Sequence, residues 1–147
     1  EHYDMGILPW SPLAFGMLAG KYDRTTQTGE GSARLNDLHE EDVMAKWKER
    51  YFTEPVFDMI DVVKAEAGRL GTTPVALSLR WLLAQPGVVS PIIGPRTVEQ
   101  LDGNMDALEP EVDEDTLVRL DAATEPYETY LDFMQAGTFA RRMHDLD

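Results

Sequence analysis

Apolar residues recur along the chain with two periods, and each period predicts a different kind of element. Residues 3–10, which contain Gly6-Ile7-Leu8, predict an extended strand that ends between two prolines. Residues 88–94, Val-Val-Ser-Pro-Ile-Ile-Gly, form a short β-branched run without polar alternation. Such a run is typical of a parallel strand that is covered on both faces. The pattern therefore predicts two buried strands.

Apolar residues at helical spacing occupy the segments between and after these strands. They predict helices near residues 40–51, 55–70, 73–84, 97–108 and 113–120. Thr73, Thr97 and Asp113 are suitable N-caps for three of these helices, and Gly71 suits the end of the second one. Thr97 and Gln100 also match the T-x-x-Q pattern of a capping box. The alternation of strands and helices predicts βα units and a parallel sheet.

Two strands that are covered on both faces need more sheet than these elements supply. The predicted fold class is therefore α/β, and the favoured architecture is the C-terminal portion of a (β/α)8 TIM barrel that is incomplete in this chain. Residues 1–125 are assigned to the barrel segment. Residues 126–147 are assigned to a tail that packs on the barrel or at an interface. A compact two-strand domain wrapped by helices is the less favoured alternative.

Charge and composition limit the possible partners. The 147 residues include 27 acidic and 13 basic side chains, for a net charge of −14, and no cysteine. Such an acidic chain repels nucleic acid and anionic membrane surfaces, so neither is expected as a partner. No apolar run approaches the length of a membrane span. The lack of cysteine fits a reducing compartment, and the expected location is the cytoplasm.

Both predicted strands end in loops rich in glycine and proline, and a basic residue follows each loop. Ser11, Gly16 and Lys21 follow the first strand, and Gly94 and Arg96 follow the second. Glycine allows backbone N–H groups to approach a ligand closely, a helix N-terminus favours anions, and arginine suits phosphate. In eight-stranded barrels, phosphate sites often form from the loops after the last two strands. The loops therefore predict a phosphate or nucleotide site.

Simpler interpretations stay open for the same residues. Residues 11–13 could form only a strand-ending turn, and Arg96 could be a solvated surface side chain. Trp47 and Trp81 lie on helical stripes and are expected in the core. The three histidines have no spacing suited to a metal site or a proton relay, and the acidic runs suit solvated faces and helix caps. No metal site is predicted.

Three stretches of this sequence resemble the C-terminal part of the aldo-keto reductases, a family of (β/α)8-barrel oxidoreductases that use NADPH. They are GILPWSPLAFGMLAGKY at residues 6–22, TTPVALSLRWLLAQPGVVSPIIGPRTVEQLDGNMDALE at residues 72–109, and TLVRLD at residues 116–121. The resemblance covers most of residues 4–125. It implies that the two predicted strands are the seventh and eighth strands of the barrel.

The resemblance also implies a set of cofactor contacts. Trp10 would stack on the nicotinamide, and Arg96 would bind the adenosine 2′-phosphate together with Gly94. Gln100 and Asn104 would lie near the adenine, although Gly103 stands where the family commonly has an acidic residue. The full set is Trp10, Ser11, Pro12, Leu13, Gly16, Lys21, Arg34, Gly94, Arg96, Gln100 and Asn104.

The function implied by the resemblance is reduction of an aldehyde or ketone by hydride transfer from NADPH. The family's catalytic Asp, Tyr, Lys and His belong to the N-terminal half of the barrel, so no residue here is assigned a catalytic role. The expected partners are a small carbonyl substrate and the missing N-terminal half, and the chain alone is expected to be inactive. The alternative is a non-catalytic nucleotide-binding regulatory or interaction subunit, like the β-subunits of potassium channels.

Overall fold

Two extended segments, residues 5–10 and 88–94, lie side by side and run parallel. The computed structural model describes residues 5–29, 45–109 and 111–124, with the backbone alone for residues 45–47. Isolated bridges join Ile7 to Val88 and Trp10 to Ile92, both in parallel orientation. The Ile92 N–H donates to the Pro9 carbonyl over 2.8 Å. The predicted parallel pairing is confirmed, but as separate bridges instead of continuous strands.

The prediction that both strands are buried is wrong for this chain. Ile7 is 53% exposed, Leu8 58% and Ile92 55%. Successive side chains of an extended segment point to opposite faces, so exposure of Ile7 and Leu8 together shows that both faces lack a cover. Most of the described residues are helical, and the structure does not itself display a barrel.

Five α-helices and two short 3₁₀ segments are present in the described residues. They are the 3₁₀ segment Ala14–Ala19, α1 (Ala45–Tyr51), α2 (Glu54–Leu70), α3 (Pro74–Ala84), α4 (Val98–Met105), the 3₁₀ turn Asp106–Leu108 and α5 (Glu114–Ala123). Each α-helix corresponds to one predicted from the sequence. The predicted start of α1, residues 40–44, and the tail, residues 126–147, lie outside the described residues.

The predicted capping residues act as caps. The Thr73 hydroxyl accepts a hydrogen bond from the Ala76 N–H over 3.1 Å at the start of α3. The Asp113 carboxylate accepts from the Thr116 N–H over 2.7 Å at the start of α5. Gly71 has φ 66° and follows α2, where a left-handed residue allows the chain to leave the helix. Local sequence therefore determines where these helices begin and end.

The core of the described residues includes two clusters of buried side chains, one along the first half of α2 and one along its second half. One cluster contains Met17, Tyr22, Phe57 and Ile60, and the other contains Val63, Ala67, Leu77 and Leu120. In α3, residues 76–79 are buried and the second half of the helix is less covered, so the predicted burial is confirmed for its first half. Trp81 packs against the second cluster, as predicted for a core residue. The side chain of Trp47 lies outside the described residues.

Charged side chains join α2 to α5 beside the second cluster. Glu66 accepts hydrogen bonds from Arg119 over 2.8 Å and from Arg69 over 2.9 Å. These two guanidinium groups, Arg119 first, lower the pKa of Glu66. Arg69 also donates to the Asp113 carboxylate over 3.1 Å and to the Thr116 hydroxyl. The network orients α5 on α2, and the two helices in turn support α3.

Candidate functional site

A cavity of about 590 Å³ lies at the carboxyl ends of the two paired segments. Its walls come from the loop after the first segment, the loop after the second segment, the first turns of α4 and the start of α3. Ten of the eleven sequence-predicted site residues line it: Trp10, Ser11, Pro12, Leu13, Gly16, Lys21, Gly94, Arg96, Gln100 and Asn104. Arg34 lies outside the described residues. Their role as cofactor contacts stays a prediction.

The first wall has an unusual backbone conformation. Ser11, Ala14 and Phe15 have φ angles of 51°, 47° and 57°, and Gly16 has 96°. Left-handed conformations are unfavourable for residues with a Cβ and cost on the order of 1–3 kcal/mol each. The Tyr22 hydroxyl donates to the Phe15 carbonyl over 3.1 Å, and this bond ties the loop to the first core cluster. The surrounding structure thus holds a strained loop at the cavity.

A hydrogen-bonded turn forms the second wall. The Thr97 hydroxyl accepts from the Gln100 N–H over 3.2 Å, as expected for an N-cap. The Gln100 side-chain oxygen accepts from the Arg96 N–H over 2.8 Å. In the capping box predicted from the sequence, this oxygen would instead reach the N–H of the cap residue itself. The Gln100 side chain therefore holds the backbone of Arg96 against the first turn of α4 by a hydrogen bond.

The described residues that line the cavity include two cations, Lys21 and Arg96, and one anion, Glu99. Hydrogen bonding by its own backbone N–H and by the Thr97 hydroxyl lowers the pKa of Glu99. Its carboxyl is therefore ionised at neutral pH. The cavity combines this mixed charge with the indole of Trp10, which is 55% exposed. Such a lining suits an elongated ligand that carries both a ring and phosphate.

Adjacent Lys21 and Tyr22 do not form an acid–base pair. Tyr22 is 5% exposed in the first core cluster, while Lys21 is exposed at the cavity. Neither residue was predicted to be catalytic from the sequence. The described residues that line the cavity include no histidine and no tyrosine.

Several lining residues were not predicted from the sequence, among them Phe15, Thr73, Val75 and Glu99. Thr73 caps α3 and Val75 lies in its first turn, and only the tertiary structure brings this helix to the loops. Phe15 adjoins the predicted loop, but a left-handed phenylalanine leaves no mark in the sequence. Glu99 could have been found, because it is an acidic residue three positions after Arg96 in the first turn of a predicted helix.

Residues 5–29, 45–109 and 111–124 include no helix that is both long enough and apolar enough to cross a membrane. The described ranges also contain no group of three or more His, Cys, Asp or Glu side chains arranged to hold a metal ion.

Known proteins similar to this chain include oxidoreductases and a channel subunit. An uncharacterized oxidoreductase of Bacillus subtilis (strain 168) is 36% identical over 113 residues, which are 77% of this chain and 30% of that protein. An aldo-keto reductase of Pseudocercospora fijiensis is 29% identical over 114 residues, 74% of this chain and 38% of that protein. A probable voltage-gated potassium channel subunit beta of Arabidopsis thaliana is 28% identical over 108 residues, 74% of this chain and 31% of that protein.

The chain spans about a third of the length of these curated relatives. The sequence profile described as "Aldo/keto reductase family" matches residues 1–125, which is most of the chain. The match includes both paired segments and every described wall of the cavity. This chain therefore belongs to the aldo/keto reductase family.

Proposed function

We propose that this chain is the cofactor-binding C-terminal part of an NADPH-dependent aldo-keto reductase that reduces aldehydes or ketones to alcohols. The observation that carries the proposal is the meeting of two loops at one cavity, each at the carboxyl end of a parallel segment. The family has a TIM-barrel fold. In such barrels the loops after strands seven and eight frequently form a phosphate site.

The cavity residues fit such a cofactor. The volume of about 590 Å³ lies within the range of small-molecule sites, roughly 300–1,000 Å³. The indole of Trp10 offers a face for the nicotinamide, and the Ser11 hydroxyl can donate to the cofactor. Arg96, fastened by Gln100, offers a planar cation for the 2′-phosphate. When bound, NADPH supplies the hydride that reduces a carbonyl carbon.

The adenine end fits less completely. Asn104 lines the cavity, but the acidic residue that the family commonly has before it is replaced by Gly103. A Cβ built at Gly103 would meet no atom within 4 Å, so the space beside α4 is open there. We expect Asn104 and the Gln100 amide to hold the adenine without help from a carboxylate.

The exposed apolar faces support an incomplete barrel. The paired segments expose Ile7, Leu8, Val89 and Ile92. A further stripe on α4 and the 3₁₀ turn after it exposes Val98, Leu101, Met105 and Leu108. Relatives are about three times as long as the matched part of this chain, which is enough polypeptide to cover both faces. The proposed partner is therefore the N-terminal half of the same barrel.

The proposal extends to the setting of the reaction. The N-terminal half would carry the catalytic groups, and a tyrosine there would protonate the carbonyl oxygen of the substrate. The net charge of −14 disfavours nucleic acid and anionic membranes as partners, and the lack of cysteine favours the cytoplasm.

Replacement of Arg96 by alanine in the full-length protein tests the proposal. The change should weaken NADPH binding far more than NADH binding, by about 1–3 kcal/mol, because only NADPH loses a charge-assisted contact. Dissociation constants for both cofactors, measured by fluorescence titration, would show the difference.

A matched variant controls for the lost charge. Arg80→Ala removes an arginine of α3 that does not line the cavity, so it should leave the cofactor preference unchanged. Residues 1–147 alone should not reduce a test aldehyde with NADPH. Equal weakening of both cofactors by Arg96→Ala would remove Arg96 from the 2′-phosphate, and turnover by the short chain would show that it holds its own catalytic groups.

The similarity to proteins named as potassium channel β-subunits favours a second candidate. In this alternative, the barrel binds the nucleotide as a regulatory or interaction subunit and does not catalyse reduction. Steady-state assays separate the two candidates. Tight NADPH binding by the full-length protein without reduction of any tested aldehyde or ketone would favour the regulatory subunit.

A further inference from the structure

Glu99 places a negative charge in the wall where the proposed site is expected to bind phosphate. Arg96 and Glu99 line the same cavity, and Glu99 lies in the first turn of α4. Anions are normally bound at a helix N-terminus, and a carboxylate held there competes with them. Arg96 and Glu99 together contribute no net charge to this wall, so the attraction for a phosphate is weaker than Arg96 alone would provide.

The backbone donors of this turn are also partly occupied. The Gln100 N–H donates to the Thr97 hydroxyl, and the Arg96 N–H donates to the Gln100 side-chain oxygen. A phosphate at this turn would therefore find fewer N–H groups than a bare helix N-terminus offers. Binding of the phosphate would therefore depend mainly on its attraction to basic side chains. Glu99 reduces this electrostatic attraction.

Building on the proposed function, we infer that Glu99 is a specificity-determining residue that weakens binding of the cofactor's 2′-phosphate. The carboxylate repels this group and has no comparable effect on NADH, which has a hydroxyl at the same position. The preference for NADPH over NADH that Arg96 provides is therefore smaller than it would be without Glu99. Lys21, the other cation among the described lining residues, belongs to the loop after the first segment.

Replacement of Glu99 by glutamine in the full-length protein tests the inference. The side chain keeps its shape and loses its charge, so NADPH should bind about fivefold more tightly at low salt. NADH affinity should change by less than about twofold, since no phosphate lies near residue 99 in that complex. Titration with 2′,5′-ADP and 5′-AMP as probes would assign the effect to the 2′-phosphate. Added salt should reduce the gain.

Asp102 provides the matched control. It is an exposed acidic residue of the same helix that does not line the cavity, so Asp102→Asn removes an equal charge away from the site. This variant should leave the ratio of the two affinities unchanged.

The possible outcomes distinguish the inference from the function. If the unaltered protein binds neither NADPH nor NADH, the proposed function fails and the inference fails with it. If both cofactors bind and Glu99→Gln changes the two affinities equally or not at all, the proposed cofactor site is supported and the inferred role of Glu99 is wrong. If Asp102→Asn shifts the ratio of NADPH to NADH affinity as much as Glu99→Gln does, the effect is a general one of charge, and the inference is also overturned.

Discussion

Helices α3 and α4 begin alike and end in different surroundings. Each starts with a threonine whose hydroxyl accepts a hydrogen bond from the N–H three residues on. In α3, residues 76–79 are buried against α2 and its neighbours. Within α4, no residue is buried, and Leu101 and Met105 are exposed by 41% and 50%. The described residues thus have a closed side, where α2, α3 and α5 form a completed core, and an open side, where the apolar faces of α4 and of the paired segments lack a cover.

The difference shows that an apolar pattern marks a surface suited to burial, whether or not the described residues supply the cover. The α4 stripe and the paired segments have the residues of a core and the exposure of a surface. Monomeric soluble proteins seldom leave contiguous apolar patches of this kind uncovered without a binding role. The open side also carries the second wall of the cavity, so the candidate site and the proposed join to the rest of the barrel are neighbours.

The largest expected effect comes from a core residue on the closed side. Leu77 is fully buried, so Leu77→Ala should reduce the free energy of unfolding by about 2–5 kcal/mol. The same truncation at Leu101, which is 41% exposed, should cost less than about 1 kcal/mol in this chain. Urea denaturation of both variants would measure the two values.

The same pair of variants also tests the proposed join. In the full-length protein, Leu101→Ala should become more destabilising, because the proposed N-terminal half would cover the stripe. Equal costs for Leu77→Ala and Leu101→Ala in the short chain would show that α4 packs as closely as α3. An unchanged cost at Leu101 in the full-length protein would remove the stripe from the join.

The two threonine caps should give a smaller difference. Thr73→Ala should lower the free energy of unfolding by about 1 kcal/mol. Because α3 forms part of the core, loss of its cap destabilises the whole fold. Thr97→Ala removes the same type of bond from a helix without buried residues, so it should mainly increase local fraying of α4. Hydrogen exchange of the α3 and α4 amides would separate global from local opening. Global destabilisation by Thr97→Ala would contradict the comparison.

The smallest effect is expected from the cap of α5 on the closed side. Hydrogen bonds from the Thr116 side chain and backbone, with help from Arg69, lower the pKa of Asp113 from 3.8 to about 2. Because the folded state binds this proton less readily, Asp113 stabilises the fold above about pH 4. That contribution is lost as the pH falls towards 2. Asp113→Asn should therefore flatten the fall of Tm over this range, by on the order of 2 °C.

A neighbouring acid controls for the change in charge. Asp115→Asn removes the same charge from the first turn of α5 without removing the cap. Its Tm should follow the pH dependence of the unaltered chain. If both variants flatten the curve equally, the effect belongs to net charge and not to the bonds of Asp113.

Local features of the sequence were sufficient for most of the helices. Thr73, Asp113 and Gly71 mark boundaries that the structure reproduces, because caps and left-handed exits depend on a few adjacent residues. The partner of the Gln100 side chain differed from the capping-box expectation. Its oxygen reaches the Arg96 N–H, and the choice depends on how the loop enters α4.

The residues of the candidate site also fall into those that the local sequence predicted and those that it did not. Glycines, prolines and basic residues after the two strands predicted which loops would meet, and ten of the predicted residues line one cavity. Thr73 and Val75 could not be predicted as part of it, because α3 reaches the cavity through packing that no local pattern contains. The left-handed backbone at Ser11, Ala14 and Phe15 was equally hidden, since tertiary contacts stabilise it against local preference.

By itself, the sequence determined the kinds of elements, their ends and the parallel direction of the two segments, since these follow from periodicity, caps and connection length. Only the tertiary structure decided which apolar faces are covered. Burial requires a partner surface, and the pattern of a strand or a helix does not state which polypeptide supplies it. Among the residues that the structure describes, the closed side finds that partner and the open side does not.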